Sequence, residues 1–282
     1  MQNQQHALKL SAILLLASAA FAAGEGRKDL RYTVGPHSAI SITNEYGPIS
    51  VKPGAANQVV ITAVTHSGKV EIDQSQSGNR IDVLSHLFPG ADAETARVDY
   101  AVQVPPDASI ILRSSTGALH AERLHGDVTL EGATGNVDVR DVSDAHVHIK
   151  TLKGPITLTN IHDGHVEVTS VSGEVVMDSV SGPLVQVNST SGKILYDGDF
   201  GSGGEYRLAS HTGDIEATAP DDASIEVIAH SVKGHVENDF RLQPKHTPFT
   251  IKAGSAFAGT MNKAASSVRL FSFSGKIHLK KR

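Results

Sequence analysis

Apolar and polar residues alternate with a period of two along most of this chain, in short runs that restart at a glycine. Gly117-Ala-Leu-His-Ala, Gly135-Asn-Val-Asp-Val, Gly154-Pro-Ile-Thr-Leu, Gly173-Glu-Val-Val-Met, Gly192-Lys-Ile-Leu-Tyr, Gly213-Asp-Ile-Glu-Ala and Gly234-His-Val-Glu-Asn share one frame, with the glycines 18, 19, 19, 19, 21 and 21 residues apart. Midway through each interval comes a second alternating run: Val128-Thr-Leu130, Val147-His-Ile149, Val166-Glu-Val168, Val185-Gln-Val187 and Tyr206-Arg-Leu208. Period-two alternation marks half-buried strands, and a fixed period near 20 residues with a pair of strands in each marks a solenoid. A strand this short cannot bury a core alone, but it can when stacked on its equivalents about 4.8 Å away. The pattern therefore predicts an all-β, single-chain parallel β-solenoid (β-helix) with coils of about 19 residues.

In that register Leu119, Val137, Ile156, Val175, Ile194, Ile215 and Val236 form one interior ladder, and Val128, Val147, Val166, Val185 and Tyr206 face it. The glycines are expected to supply positive φ at sharp corners. The hydroxyls before them, as in Ser114-Ser-Thr-Gly117 and Ser189-Thr-Ser-Gly192, are expected to bond backbone groups of the turn. A helical reading fails, because Gly or Pro recurs too often and the alternation is two, not 3.6.

The pattern divides the chain into three parts. Residues 1–23 read as a secretory signal peptide: a polar start with Lys9, an aliphatic Leu10–Leu16, then small residues offering an A-x-A site at Ala20-Phe-Ala22. Their apolar segment is short for a span, which takes about 20 residues, though retention as an uncleaved anchor is the other reading. Residues 24–113 stay β but irregular, with strands expected at 31–34, 39–43, 49–52, 58–64, 70–73, 80–84, 96–104 and 109–112 and a long turn at Asp73–Asn79. They read as an irregular start that caps one end, with a separate small β-domain as the other possibility. Residues 114–282 read as the regular solenoid, with an irregular coil at about 241–265, an excursion at Leu242–Pro248 and a strand at Phe249–Ile251.

Composition narrows the function. The net charge is −5, and the first 23 residues carry only Lys9, so neither they nor the remainder offer a basic stripe for nucleic acid. Cysteine is absent, which excludes disulfides, thiolate metal sites and a lipidated cysteine. Runs of four or five residues with few aromatics do not fit a membrane β-barrel.

The frame Val98-Asp-Tyr-Ala-Val-Gln-Val-Pro105, followed by a hydrophobic strand, Ser-Ser-Thr-Gly and repeated Gly-x-Ile/Val units, resembles the bacterial "putative adhesin" β-strand-repeat family, also described as a domain of unknown function. The resemblance runs from about Tyr32 to Leu279. It implies a solenoid fold and an exported or membrane-tethered bacterial protein, and it carries no functional residues over to this chain.

Candidate chemistry rests on the 15 histidines. Stacking brings His146 next to His165 and His148 next to Glu167, with Asp127 in the same ladder as the first pair. Imidazole and carboxylate so spaced could hold Zn²⁺ or Cu²⁺; the plainer reading is a solvated sheet face, and no cofactor is otherwise expected. A polysaccharide-active β-helical enzyme needs clustered carboxylates. On the first wall the outward acids, Asp138 at one end and Glu216 and Glu237 at the other, are separated by Thr157, Val176 and Leu195, so no catalytic residues are assigned. Val176 and Leu195, adjacent and outward, read as a partner surface, or else as a patch covered by the loop Phe200–Gly204 or by the excursion at 241–248. The function expected is an exported, non-enzymatic scaffold of the periplasm, cell surface or medium. It would bind an unknown protein or glycan at the cell envelope, with no transmembrane span in the mature chain. The alternatives are the enzyme and a metal-binding envelope accessory protein.

Overall fold

The computed structural model describes residues 26–245 and 254–282; the signal peptide expected at residues 1–23 and the strand expected at Phe249–Ile251 lie outside the described residues. The described residues form a parallel β-solenoid of two facing walls, sheets of 12 and 13 strands, with no helix. Each regular coil sends one strand to each wall. In the first wall Leu119–Glu122, Val137–Ser143, Ile156–His162, Val175–Val180, Ile194–Asp197 and Ile215–Ala219 stack in parallel. Opposite them run Ser109–Ser114, Val128–Gly132, His146–Thr151, His165–Ser170, Leu184–Ser189 and Glu205–Ser210.

The expected ladders are present from Leu119 to Ile215 and from Val128 to Tyr206. All these side chains are buried in one continuous apolar core. Each fully buried aliphatic stabilises the fold by roughly 1.5–3 kcal/mol. Between Ile194 and Ile215 the longer intervals have a use. The extra residues carry Phe200, which turns inward at φ 62° and stacks on Tyr196 at 4.5 Å and edge-on against Tyr206 at 5.1 Å. The Tyr196 hydroxyl donates to the Val180 carbonyl and accepts from the Phe200 N–H at 3.0 Å, so this aromatic plug leaves no tyrosine oxygen unsatisfied there.

The corner glycines have a different cause from the one expected. Positive φ holds at Gly47, Gly154 and Gly173, but not at Gly117, Gly135, Gly192, Gly213, Gly234 or Gly275. What all share is a stacked carbonyl. A Cβ on Gly117 would stand 1.6 Å from the Gly47 oxygen, and one on Gly192 would stand 1.7 Å from that of Gly173. Glycine is required because coils touch backbone to backbone. The serine three residues earlier completes the corner, as its buried Oγ accepts the glycine N–H at 2.8 Å in the Ser114, Ser210 and Ser272 turns. Several of these hydroxyls also donate to the carbonyl of the stacked glycine, Ser231 to Gly275 at 2.7 Å, which links successive coils.

Both ends depart from simple succession. At the C-terminal end Val236 does not stack on Ile215. The last coil, Ser266–Ser272 and Ile277–Lys281, inserts between the coil of Glu205–Ser210 and Ile215–Ala219 and that of Ile225–Ser231 and Val236–Asn238. Ile277 therefore sits between Ile215 and Val236. Ala256–Thr260 and Gln243–Pro244 then pair antiparallel on the outside and end the second wall. At the other end the early coil Ala39–Asn44 and Ile49–Pro53 packs directly on the coil of Ser109–Ser114 and Leu119–Glu122, and later strands lie outside it. Antiparallel Gly26–Thr33, Gln58–Thr65 and Val98–Val104 close one wall, and the hairpin Val70–Ser77 with Arg80–Leu87 closes the other. That hairpin turns tightly at Gly78-Asn79, so the long turn expected at Asp73–Asn79 is mostly strand.

Candidate functional site

The core is closed and apolar, so chemistry belongs to the outer faces and corners. On the second wall the register places His146 beside His165 and His148 beside Glu167, as expected. The His146 and His165 rings are parallel at 4.8 Å and 4°, and Asp127 Oδ1 accepts the His146 backbone N–H at 3.0 Å. His148 Nδ1 lies 3.4 Å from a Glu167 oxygen. Together they line a shallow depression of about 350 Å³. Flat stacking holds the first two rings side by side and does not converge them on one point. Among the described residues no three or more His, Asp or Glu side chains stand where they could hold a metal ion. The zinc or copper expectation gains no support from this arrangement.

On the first wall Val176 and Leu195 pair across adjacent rungs, half-buried, and floor a depression edged by Asp178, Asp197, Glu216 and Thr218. Phe200 of the loop thought able to cover them is instead buried in the core. The acids of this rim are tied down: Glu216 accepts from Lys280 at 2.9 Å and Lys193 at 3.4 Å, Asp197 pairs with Arg282, and Asp178 accepts from the Ser179 hydroxyl at 3.0 Å. The Lys280 hydrogen bond chiefly holds the Glu216 carboxyl below its ordinary range.

Sequence reasoning missed two ionic clusters on this wall. His120 Nδ1 lies 2.9 Å from Asp138, and its Nε2 lies 3.6 Å from Glu122. Arg140 and Arg123 pair with the same two acids. The acids belong to different strands and register positions, so a search along one outward row does not join them. At the C-terminal end His278 likewise contacts Glu237 and Asp239, and Glu237 also takes Lys276 at 2.6 Å and His235 at 3.0 Å. These hydrogen bonds, Lys276 first, bring the Glu237 carboxyl from 4.5 down to about 2. The second cluster exists because the last coil is intercalated and places His278 on the rung next to Glu237.

A third feature runs along the Ser-x-x-Gly corner. Leu152 and Val171 are 57% and 45% exposed on neighbouring rungs. Farther along, His211 stacks on Phe273 at 4.8 Å, and Lys233 lies over the same ring at 4.7 Å. The signal was legible: the position after the corner serine is apolar at Val171, Phe273 and Val232, and at Leu152 after Thr151.

No curated protein matches this chain. Among solved structures, it is similar to a putative adhesin from Parabacteroides distasonis, at 10% identity and a TM-score of 0.52 over 90% of this chain and 97% of that one. It is also similar to a putative adhesin from Bacteroides fragilis, at 12% identity and a TM-score of 0.43 over 90% and 97% of the two chains. The first of these likenesses supports the fold and nothing more. The model of the family described as Toastrack DUF4097 matches residues 37–280, nearly the whole described solenoid, and the chain belongs to that family.

Proposed function

We propose that this protein is an exported, non-enzymatic scaffold of the bacterial envelope that presents the outer faces of its solenoid to a protein or glycan partner. The observation that carries this reading is the division of the molecule. The interior is filled by buried aliphatics and one aromatic plug, while ladders of His, Glu, Gln, Thr and Lys stand on flat outer walls. A rigid ladder offers many weak, regularly spaced contacts, which suits recognition of an extended or repetitive partner. The signal-like residues 1–23 support export, and the likeness to proteins described as putative adhesins points the same way.

The enzyme alternative needs a carboxylic acid with a raised pKa beside a free carboxylate. The acids of the two His-bridged clusters instead sit among arginines, lysines and histidines. Glu122 is held low by Arg123, and Glu237 by Lys276 and His235. Such groups remain ionised and serve as ion-pair anchors.

The test applies the purified protein to a glycan array and to washed bacterial envelopes, with and without Zn²⁺, and assays polysaccharides for released reducing ends. Saturable binding that substitutions on one wall abolish, and that substitutions on the other leave unchanged, is the expected result. Reducing-end release, or no binding to either target, overturns the scaffold reading.

A further inference from the structure

The Ser-x-x-Gly corner holds a row of side chains that the fold itself does not use. Backbone hydrogen bonds place Leu152, Val171, Thr190, His211, Phe273 and Val232 on successive rungs. At about 4.8 Å per rung the row is straight over about 24 Å. Its tips are largely apolar and stand in water: Leu152, Val171 and Val232 are 57%, 45% and 46% exposed. Phe271, which precedes Ser272 of the same corner, adds an aromatic side chain at 44%.

We propose that this corner docks on the surface of an anionic phospholipid bilayer. Three observations choose that occupant. The row is straight, so its tips can meet a flat surface together, and the depression of about 600 Å³ beside its Leu152–Val171 end, where Glu131 is paired with Arg113, is shallow and open on the same side. Cations flank it. Lys153 and Lys233 occupy the next corner position at the two ends of the row, and Arg207 and Arg269 share the single carboxylate of Glu205, at 2.7 and 3.4 Å. The acids Glu174 and Asp214 lie past the corner glycines, at the start of the first wall. Finally, the Phe273 ring is no sugar platform, since His211 from the preceding rung and Lys233 beside the following one cover it. Apolar tips with a basic flank match an interfacial anchor, in which acyl and headgroup layers receive the tips and anionic headgroups the cations.

This inference rests on the scaffold reading and deepens it by naming a face and a partner. The experiment is flotation of the purified protein with phosphatidylcholine vesicles, with and without phosphatidylglycerol, at low and high salt. Binding is expected only to the anionic vesicles, and it should weaken with salt. Two exposed-residue variants, Val232→Ser with Phe271→Ser and Lys233→Glu with Arg269→Glu, should each lower the affinity by about tenfold or more. Val176→Ser with Leu195→Ser, on the opposite wall, should leave it unchanged, and circular dichroism confirms that all variants fold. No binding to anionic vesicles, or binding that both corner variants retain, overturns the proposal. Capture of soluble polygalacturonate in place of vesicles overturns it too and assigns the corner to an anionic glycan. If envelope binding persists while vesicle binding is absent, only this inference fails and the scaffold reading stands.

Discussion

At the scale of single residues, close backbone contact governs which substitutions the corner accepts. Gly192→Ala would put a methyl 1.7 Å from the Gly173 carbonyl, so the coils must separate there. A loss of about 2–4 kcal/mol is expected in urea unfolding, at the upper range for single changes. Gly132 is the contrast, since its nearest neighbours would be 3.7–3.9 Å from an added Cβ. It also stands where the other corners carry Ser or Thr. Gly132→Ser should supply the missing hydroxyl acceptor for the Gly135 N–H and raise stability by about 0.5–1.5 kcal/mol in the same assay. Charge acts locally as well. Glu237 is held at about 2 against 4.5, so its ion pairs favour the folded form above pH 4.5. That contribution is lost as the pH falls from 4.5 towards 2. Glu237→Gln should therefore flatten the acid limb of the stability profile over that window, as followed by thermal melts across pH.

At the scale of elements, the intercalated last coil reverses the order that the chain implies. Ile277–Lys281 lies between two neighbours, whereas Val236–Asn238 is an edge strand of its wall. Hydrogen exchange should therefore be slower in Ile277–Lys281 than in Val236–Asn238, although the former ends the chain. Ile277 is fully buried and Val236 only partly so. Ile277→Ala is expected to cost about 2–5 kcal/mol, and Val236→Ala clearly less. Equal costs would contradict the intercalation. At the other end antiparallel strands do the same work, covering edges that would otherwise offer unpaired N–H and C=O groups to another chain.

At the scale of the whole molecule, the two walls and one uninterrupted core make the solenoid behave as one unit. Repeat arrays lose cooperativity when neighbouring coils couple weakly. Here serine hydroxyls, glycine contacts and the Tyr196–Phe200–Tyr206 plug link successive coils, and burial pushes the Tyr206 hydroxyl up to about 12. Urea unfolding of a variant with Tyr32, Tyr46 and Tyr100 changed to Phe, in which tyrosine fluorescence reports the plug alone, should give superimposable curves by fluorescence and by circular dichroism, which reports all strands. Two separated midpoints would show that the ends unfold independently of the middle.

How much of this was legible in the sequence depended on the range of the forces involved. The ladders from Leu119 to Ile215 and from Val128 to Tyr206 follow from period-two alternation and a constant repeat, because each residue needs only its counterpart one coil away. The same register alone brings His146 to His165 and Val176 to Leu195. The position of the last coil could not be read in this way. Val236 and Ile277 carry the same local pattern, and either could stack on Ile215; the choice depends on which arrangement best closes the core and covers the edges. The ionic cluster of Glu237, Asp239 and His278 depends on that choice and was hidden with it. The role of the corner glycines was hidden for a related reason: conformational freedom is a local property, but the carbonyl that excludes a Cβ comes from another coil. The repeat, its two walls and its inward and outward faces are thus set locally, by alternation and a constant period. The order of the coils at both ends is a property of the complete fold, since it depends on burial and edge pairing summed over the whole solenoid.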